Sequence, residues 1–222
     1  MRGHFITFEG GEGSGKSTHA ATLAGRLKSL GIDVVLTREP GGSAGAEIIR
    51  HIILSGIAKP LGPETETILF AAARDDHVRA TILPALEAGQ WVICDRFIDS
   101  TRVYQGVLGK VDGKLIRGLE RVTVGSAMPD LTFILDVPAS IGLARAKHRR
   151  GAGAVDRFEA ESVEYHENLR QAYLALAEKE PKRCIVIDGR APRDVVAERI
   201  WTAVAHHLHP GLERLAAETA AP

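Results

Sequence analysis

Cysteine is scarce in this 222-residue chain: only Cys94 and Cys184 are present. Each lies inside an apolar run, WVIC and CIVI, so buried thiols of a reducing compartment are expected in place of a disulfide. Net charge is missing too, because 28 basic residues balance 28 acidic ones. That balance removes any bulk electrostatic case for nucleic acid or an anionic membrane, and any basic site must be local. No apolar run approaches the roughly 20 residues of a membrane span. A core strand is expected within a few residues of Met1, leaving no room for a signal peptide and pointing to the cytoplasm. Internal repeats are absent, and so is the Asn-Lys-x-Asp run with which a GTPase switch reads guanine.

What remains is an ordinary globular composition, 45% hydrophobic and 25% charged, enough to bury one substantial core. Strand-like apolar segments recur at His4–Glu9, Asp33–Arg38, Trp91–Cys94, Leu131–Asp136 and Arg183–Asp188. Helical periodicity fills the gaps over Lys16–Leu30, from the REPGG loop through Leu54, and over Glu64–Ala88, Ser140–Arg149, Glu159–Glu178 and Asp194–His207. SGIAKPLGP, with two prolines and two glycines, punctuates the chain before the third helix. Alternating strands and helices predict an α/β fold with a parallel five-stranded sheet and helices on both faces. One domain over residues 1–209 is expected, with 210–222 as a loosely held tail.

The stretch Gly10 to Ser17, GGEGSGKS, fits Gly-x-x-x-x-Gly-Lys-Ser/Thr between the first strand and the first helix. Glycines allow φ angles closed to other residues and let the backbone approach an anion, while the free N–H groups at the helix start face it. Gly10, Gly11, Glu12, Gly13, Ser14, Gly15, Lys16, Ser17 and Thr18 are therefore the candidate ATP-binding residues. Lys16 would reach the outer phosphates, and the Ser17 hydroxyl would ligate magnesium. A glycine-rich turn before an ordinary helix is the plainer alternative.

Asp95 and Arg96 follow WVIC at the carboxyl end of a strand, the edge at which doubly wound sheets bind ligands. Asp95 is placed to hold magnesium directly or through water, and Arg96 to fork onto phosphate oxygens. A surface ion pair at a strand end is the competing account.

The motifs FEGGEGSGKST, TREPGG, ILFAAAR, VICDRF, STxxYQG at Ser100–Gly106 and DRFEAES at Asp156–Ser162 fall in one order along the chain. In that order the chain resembles the bacterial thymidylate kinases over most of residues 4–208. The resemblance implies a P-loop NTPase fold with a short basic lid, and transfer of the γ-phosphoryl group of ATP to dTMP. It assigns Phe70 to stack on thymine, Arg74 to donate to a thymine carbonyl, Thr101 to meet the pyrimidine edge, and Tyr104 to pack where a ribose 2′-hydroxyl would sit. Glu12 falls beside the deoxyribose 3′-hydroxyl, Arg38 near the acceptor phosphate, and Gln105 next to Tyr104 in the dTMP site; Glu39 is carried over with Arg38. Arg96 serves both substrates. Plainer readings are a core role for Phe70, a turn-capping role for Thr101 and Tyr104, and a simple turn at Arg38 to Gly42.

Some relatives carry an arginine inside the phosphate loop, where this chain has Gly13. The missing cation is expected from Arg145–Arg157, RAKHRRGAGAVDR, a basic stretch loosened by Gly151 and Gly153. Arg149, Arg150 and Arg157 are the candidate catalytic arginines beside Lys16 and Arg96, on a lid at about 147–157. A solvated basic helix end is the competing reading. The resemblance also implies a homodimer. A deoxynucleoside kinase and a P-loop ATPase or GTPase switch stand as alternatives, the switch disfavoured because Asp95 is followed by Arg96.

Overall fold

Five short apolar segments, β1 (Phe5–Glu9), β2 (Val34–Arg38), β3 (Trp91–Asp95), β4 (Leu131–Asp136) and β5 (Cys184–Asp188), pair in parallel to form a sheet of order β2-β3-β1-β4-β5. The computed structural model describes residues 2–150, 158–209 and 211–212. Every residue of β1 is buried, as befits a central strand covered on both sides. The edge strands are less enclosed, and Leu36 on β2 and Val186 on β5 reach solvent.

Side chains along β1 alternate between two cores. Ile6 and Phe8 pack with Leu23 and Leu27 of α1 (Lys16–Ser29) and with Ile200, Trp201 and Val204 of α9 (Arg193–His207). Phe5 faces the other way, with Val92 and Cys94, against Val78, Ile82 and Leu86. That second face is completed by Leu169 and Tyr173 of α8 (Val163–Lys179) on Ile134 and Cys184. Cys94 and Cys184 are both buried free thiols.

Between β2 and β3 run α2 (Ala44–Leu54), α3 (Pro63–His77) and α4 (Leu83–Glu87), with a π-helical turn at Val78–Ile82 joining α3 to α4. The long helix expected over Glu64–Ala88 is therefore real but interrupted. After β3 come α5 (Ile98–Thr101), a second π-helical turn at Arg102–Leu108, and α6 (Gly113–Thr123). Thr101 and Tyr104 lie on this helical segment and not on a capping turn. α6 escaped the sequence reading because Gly113 and Gly118 weaken its periodicity, although Asp112 caps it by accepting from Lys114 N at 2.8 Å. α7 (Ala139–Arg150) follows β4. α8 starts at Val163, four residues later than expected from Glu159, because Ser162 caps it by accepting from Tyr165 N at 3.1 Å.

One contact between elements bears directly on the phosphate loop. Gly13 has φ 64°, and a Cβ there would lie 1.9 Å from the carbonyl oxygen of Gly142 in α7. Gly142 answers in kind, with a Cβ position 2.3 Å from the carbonyl oxygen of Glu12. The root of α7 and the loop thus touch backbone to backbone, leaving no space for an arginine at position 13.

Candidate active site

The parallel sheet delivers the carboxyl ends of β1, β2 and β3 to one edge, each followed by a charged segment. From β1 the chain turns through Gly10, Gly13 and Gly15, with φ 131°, 64° and 99°, into α1. Lys16 folds back so that its Nζ donates to the carbonyl of Gly11 at 2.7 Å. Burial pulls its ammonium down to about 8, aided by Arg96 and opposed by the carboxylates of Glu12, Asp95 and Glu9. Ser14 Oγ is buried with no hydrogen-bond partner among the described residues, and Thr18 is exposed on the first turn of α1.

Asp95 ends β3 beside the loop, and its Oδ2 accepts from the Ser17 hydroxyl. Its Oδ1 is buried without a hydrogen-bond partner among the described residues. Arg96 follows at φ 69°, a left-handed backbone rare outside glycine, which turns its side chain back across the loop. Its Nη2 pairs with Glu12, and its Nη1 donates to Gly10 O and Ser100 Oγ, both at 3.3 Å, and to Tyr173 Oη at 3.4 Å. The guanidinium also lies 5.2 Å from the Tyr104 ring centre. Burial alone would raise the Glu12 carboxyl, but Arg96 and Lys16 overcome it and hold it at about 2. Asp95 and Arg96 are therefore half-buried members of one hydrogen-bonded site and not a solvated pair.

Behind this pair, Glu9 is fully buried. It accepts from Phe97 N at 2.8 Å, Ser100 N at 3.1 Å, Ser100 Oγ at 2.6 Å and Tyr173 Oη at 2.9 Å, so one side chain ties β1 to the loop carrying Arg96. Burial and the nearby Asp99 push its carboxyl up to about 7, against the pull of Arg96.

A cleft of about 270 Å³ opens next to the phosphate loop. Lys16, Ser17, Asp95, Arg96 and Glu12 line one part of it; Phe70, Arg74, Thr101, Tyr104, Gln105 and Arg38 line another. Phe70 is half-buried and belongs to none of the apolar clusters, which sets aside the core reading. Arg74 is buried and donates through Nη2 to the Thr101 hydroxyl at 3.0 Å. Gln105 Nε2 donates to Glu66 Oε1 at 3.4 Å, and the exposed Arg38 pairs with Glu47 at 2.9 Å. Arg149 also lines the cleft, whereas Arg150 pairs with Glu159. Arg157, like residues 151–156 of the expected lid, lies outside the described residues.

Phe158 and Arg50 are among the cleft residues that sequence reasoning missed. Phe158 stands edge-on to Tyr104 with ring centres 5.5 Å apart and 6.5 Å from that of Phe70, completing an aromatic enclosure. It lay within the DRFEAES block, where its type alone was a usable signal. Arg50, on α2, donates to the carbonyl of Pro40 at 2.5 Å and faces the same space. Nothing in its local sequence distinguishes it from other helical arginines.

A phosphate loop beside a cleft that ends in aromatic rings and a buried arginine defines a P-loop kinase whose acceptor is itself a nucleotide. A family model described as thymidylate kinase matches residues 8–200. The thymidylate kinase of Bradyrhizobium sp. strain BTAi1 is 61% identical over 207 residues, covering 93% of this chain and 92% of that protein. That of Nitrobacter winogradskyi is 61% identical over 204 residues, covering 92% and 89%. Among solved structures, thymidylate kinase from Ehrlichia chaffeensis matches with TM-score 0.73 and 34% identity, over 92% of this chain and 99% of that one. The chain belongs to the thymidylate kinase family, enzymes that phosphorylate dTMP with ATP.

Proposed function

We propose that this chain carries out that transfer within the cleft described above, with Lys16, Arg96 and Arg149 as the cations around the migrating phosphoryl group. The observation that carries the residue assignment is a single cleft lined both by Lys16 of the phosphate loop and by Phe70 and Arg74. The acceptor phosphate is already an anion, so no general base is required; what is required is positive charge. ATP's polyphosphate and the acceptor phosphate repel each other, and a loose transition state spreads charge over the transferred oxygens. Lys16 and Arg96 align the two groups, Phe70 stacks on the base, and Tyr104 with Phe158 fills the space beside the sugar. Glu12, held ionised by Arg96, is placed for the 3′-hydroxyl.

Magnesium fits this site. Asp95 offers a buried oxygen with no hydrogen-bond partner among the described residues, next to an oxygen already joined to the Ser17 hydroxyl, and oxygen donors suit that ion. Asp95 and Ser17 would hold it, and it would neutralise charge between the donor phosphates.

Residues 1–209 form the catalytic domain in this reading, and the lid expected at about 147–157 falls on the last turn of α7 and on residues outside the described ones. Two buried thiols suit the cytoplasm. No helix among the described residues is long and apolar enough to cross a membrane. A homodimer is proposed through the neighbouring α2, α3 and α6, on which Ile48, Ile68 and Val122 are exposed. Light scattering should give twice the mass of one chain for the wild type and half that for Ile48→Glu/Ile68→Glu; a wild-type monomer removes the proposal.

The direct check on activity is turnover with ATP and magnesium across nucleoside monophosphates, with thymidine as a further acceptor. dTMP should have the highest kcat/KM and thymidine none above background. Preference for thymidine would restore the deoxynucleoside kinase alternative.

A further inference from the structure

The TREPGG segment, Thr37 to Gly42, is tied into α3 by more than backbone contact. Glu39 has a side chain only 5% exposed and sits between two residues of α3. Its Oε2 accepts from Arg74 Nε at 2.8 Å, and its Oε1 lies 3.1 Å from His77 Nδ1. His77 is fully buried, and its Nε2 lies 2.8 Å from the Thr37 hydroxyl. A carboxylate only accepts, so the network assigns the ring proton to Nδ1 and leaves Nε2 to accept from Thr37. Gly42 makes room for this relay: a Cβ there would fall 2.3 Å from His77 Nε2 and 2.4 Å from Thr37 Oγ1. The segment is pinned again where Thr81 Oγ1 donates to Gly42 O at 2.9 Å, and just beyond it Asp76 accepts from the Ser43 hydroxyl at 2.6 Å.

Two parts of the Arg74 fork are thereby committed. Nε goes to Glu39, and Nη2 donates to Phe97 O at 3.2 Å and to the Thr101 hydroxyl at 3.0 Å. Nη1 has no hydrogen-bond partner among the described residues, and Arg74 lines the cleft. A planar fork clamped at two points presents its remaining donor in one direction.

We propose that Glu39, seated by His77 and Thr37, is a positioning residue for base selection, clamping Arg74 so that its remaining donor meets the 4-carbonyl of a pyrimidine. The proposal rests on the reading that Arg74 donates to a thymine carbonyl. A guanidinium donates and never accepts, so in this orientation it favours the carbonyl of thymine and opposes the 4-amino group of cytosine. Loosening the clamp lets the fork turn away and discards that discrimination.

The test is steady-state kinetics of the wild type, Glu39→Gln, Arg74→Met and the double variant, with dTMP and dCMP as acceptors at saturating ATP. Glu39→Gln keeps the size of the side chain but removes the charge between Arg74 and His77. The KM for dTMP should rise about tenfold, with kcat, and the KM for ATP measured separately at saturating dTMP, changed less than about threefold. The ratio of kcat/KM for dTMP over dCMP should fall by about tenfold or more. In the Arg74→Met background, Glu39→Gln should move that ratio by less than about twofold, because Glu39 acts through Arg74. The proposal is overturned if Glu39→Gln leaves the ratio unmoved while Arg74→Met collapses it, or if its effect persists undiminished without Arg74. An unchanged ratio in Arg74→Met itself overturns the base-reading role of Arg74, and the role of Glu39 falls with it. If Glu39→Gln does not fold, Thr37→Val at the half-buried far end of the relay reads out the same ratio. A fall of about threefold supports the clamp and no fall overturns it.

Discussion

Lys16→Ala will leave a folded protein whose kcat is lower by about 10³-fold, the scale set by removing one preorganised charge from a developing anion. The fold should survive because burial and Arg96 already disfavour the ammonium in the free enzyme, so its removal relieves charge crowding as it deletes function. A thermal melt and single-turnover phosphoryl transfer read the two effects separately. A kcat within tenfold of wild type takes Lys16 out of the mechanism. The same residue sets an alkaline limit. Its folded value of about 8 lies below its ordinary value of 10.5, so the free enzyme loses the needed proton as pH rises through 8. The plot of kcat/KM against pH should fall above that point, and Lys16→Arg should move the falling limb upward, since a guanidinium keeps its proton.

Arg149→Ala comes next in size. It should lower kcat by about 10³-fold while the KM for dTMP moves less than about threefold, the pattern of a contact made only in the transition state. Arg150→Ala should cost much less, because Arg150 is already paired with Glu159 whereas Arg149 lines the cleft. The reverse order would place the catalytic cation on Arg150. A KM effect alone in Arg149→Ala would make that residue a binding group.

The phosphate loop was legible in the sequence because its chemistry demands glycines, a lysine and a hydroxyl within eight consecutive residues. Asp95 and Arg96 were legible because a short apolar strand announces where its carboxyl end lies. The Glu39, Arg74 and His77 cluster was not. Its members are 35 and 38 residues apart, and nothing local marks a glutamate in a Pro-Gly-Gly turn as the partner of an arginine on a later helix. Arg50 was lost for the same reason, since its meaning lies in what it faces across the cleft. Strand positions were legible to within two residues, while the two π-helical turns were hidden because their composition is that of ordinary helix. The placement of Tyr104 and Gln105 on one of those turns, with Thr101 on the short helix just before it, is a tertiary fact.

The backbone contact between Gly13 and Gly142 also makes α7 a lever. Gly142 is near the start of this helix and Arg149 near its end, seven residues further on. At 1.5 Å per residue the arm is about 10 Å long, so a tilt of about six degrees about the glycine pair carries Arg149 through about 1 Å. A displacement of the phosphate loop that tilted α7 by that angle would therefore reach the far end of the helix, through two residues without side chains, as motion of a guanidinium.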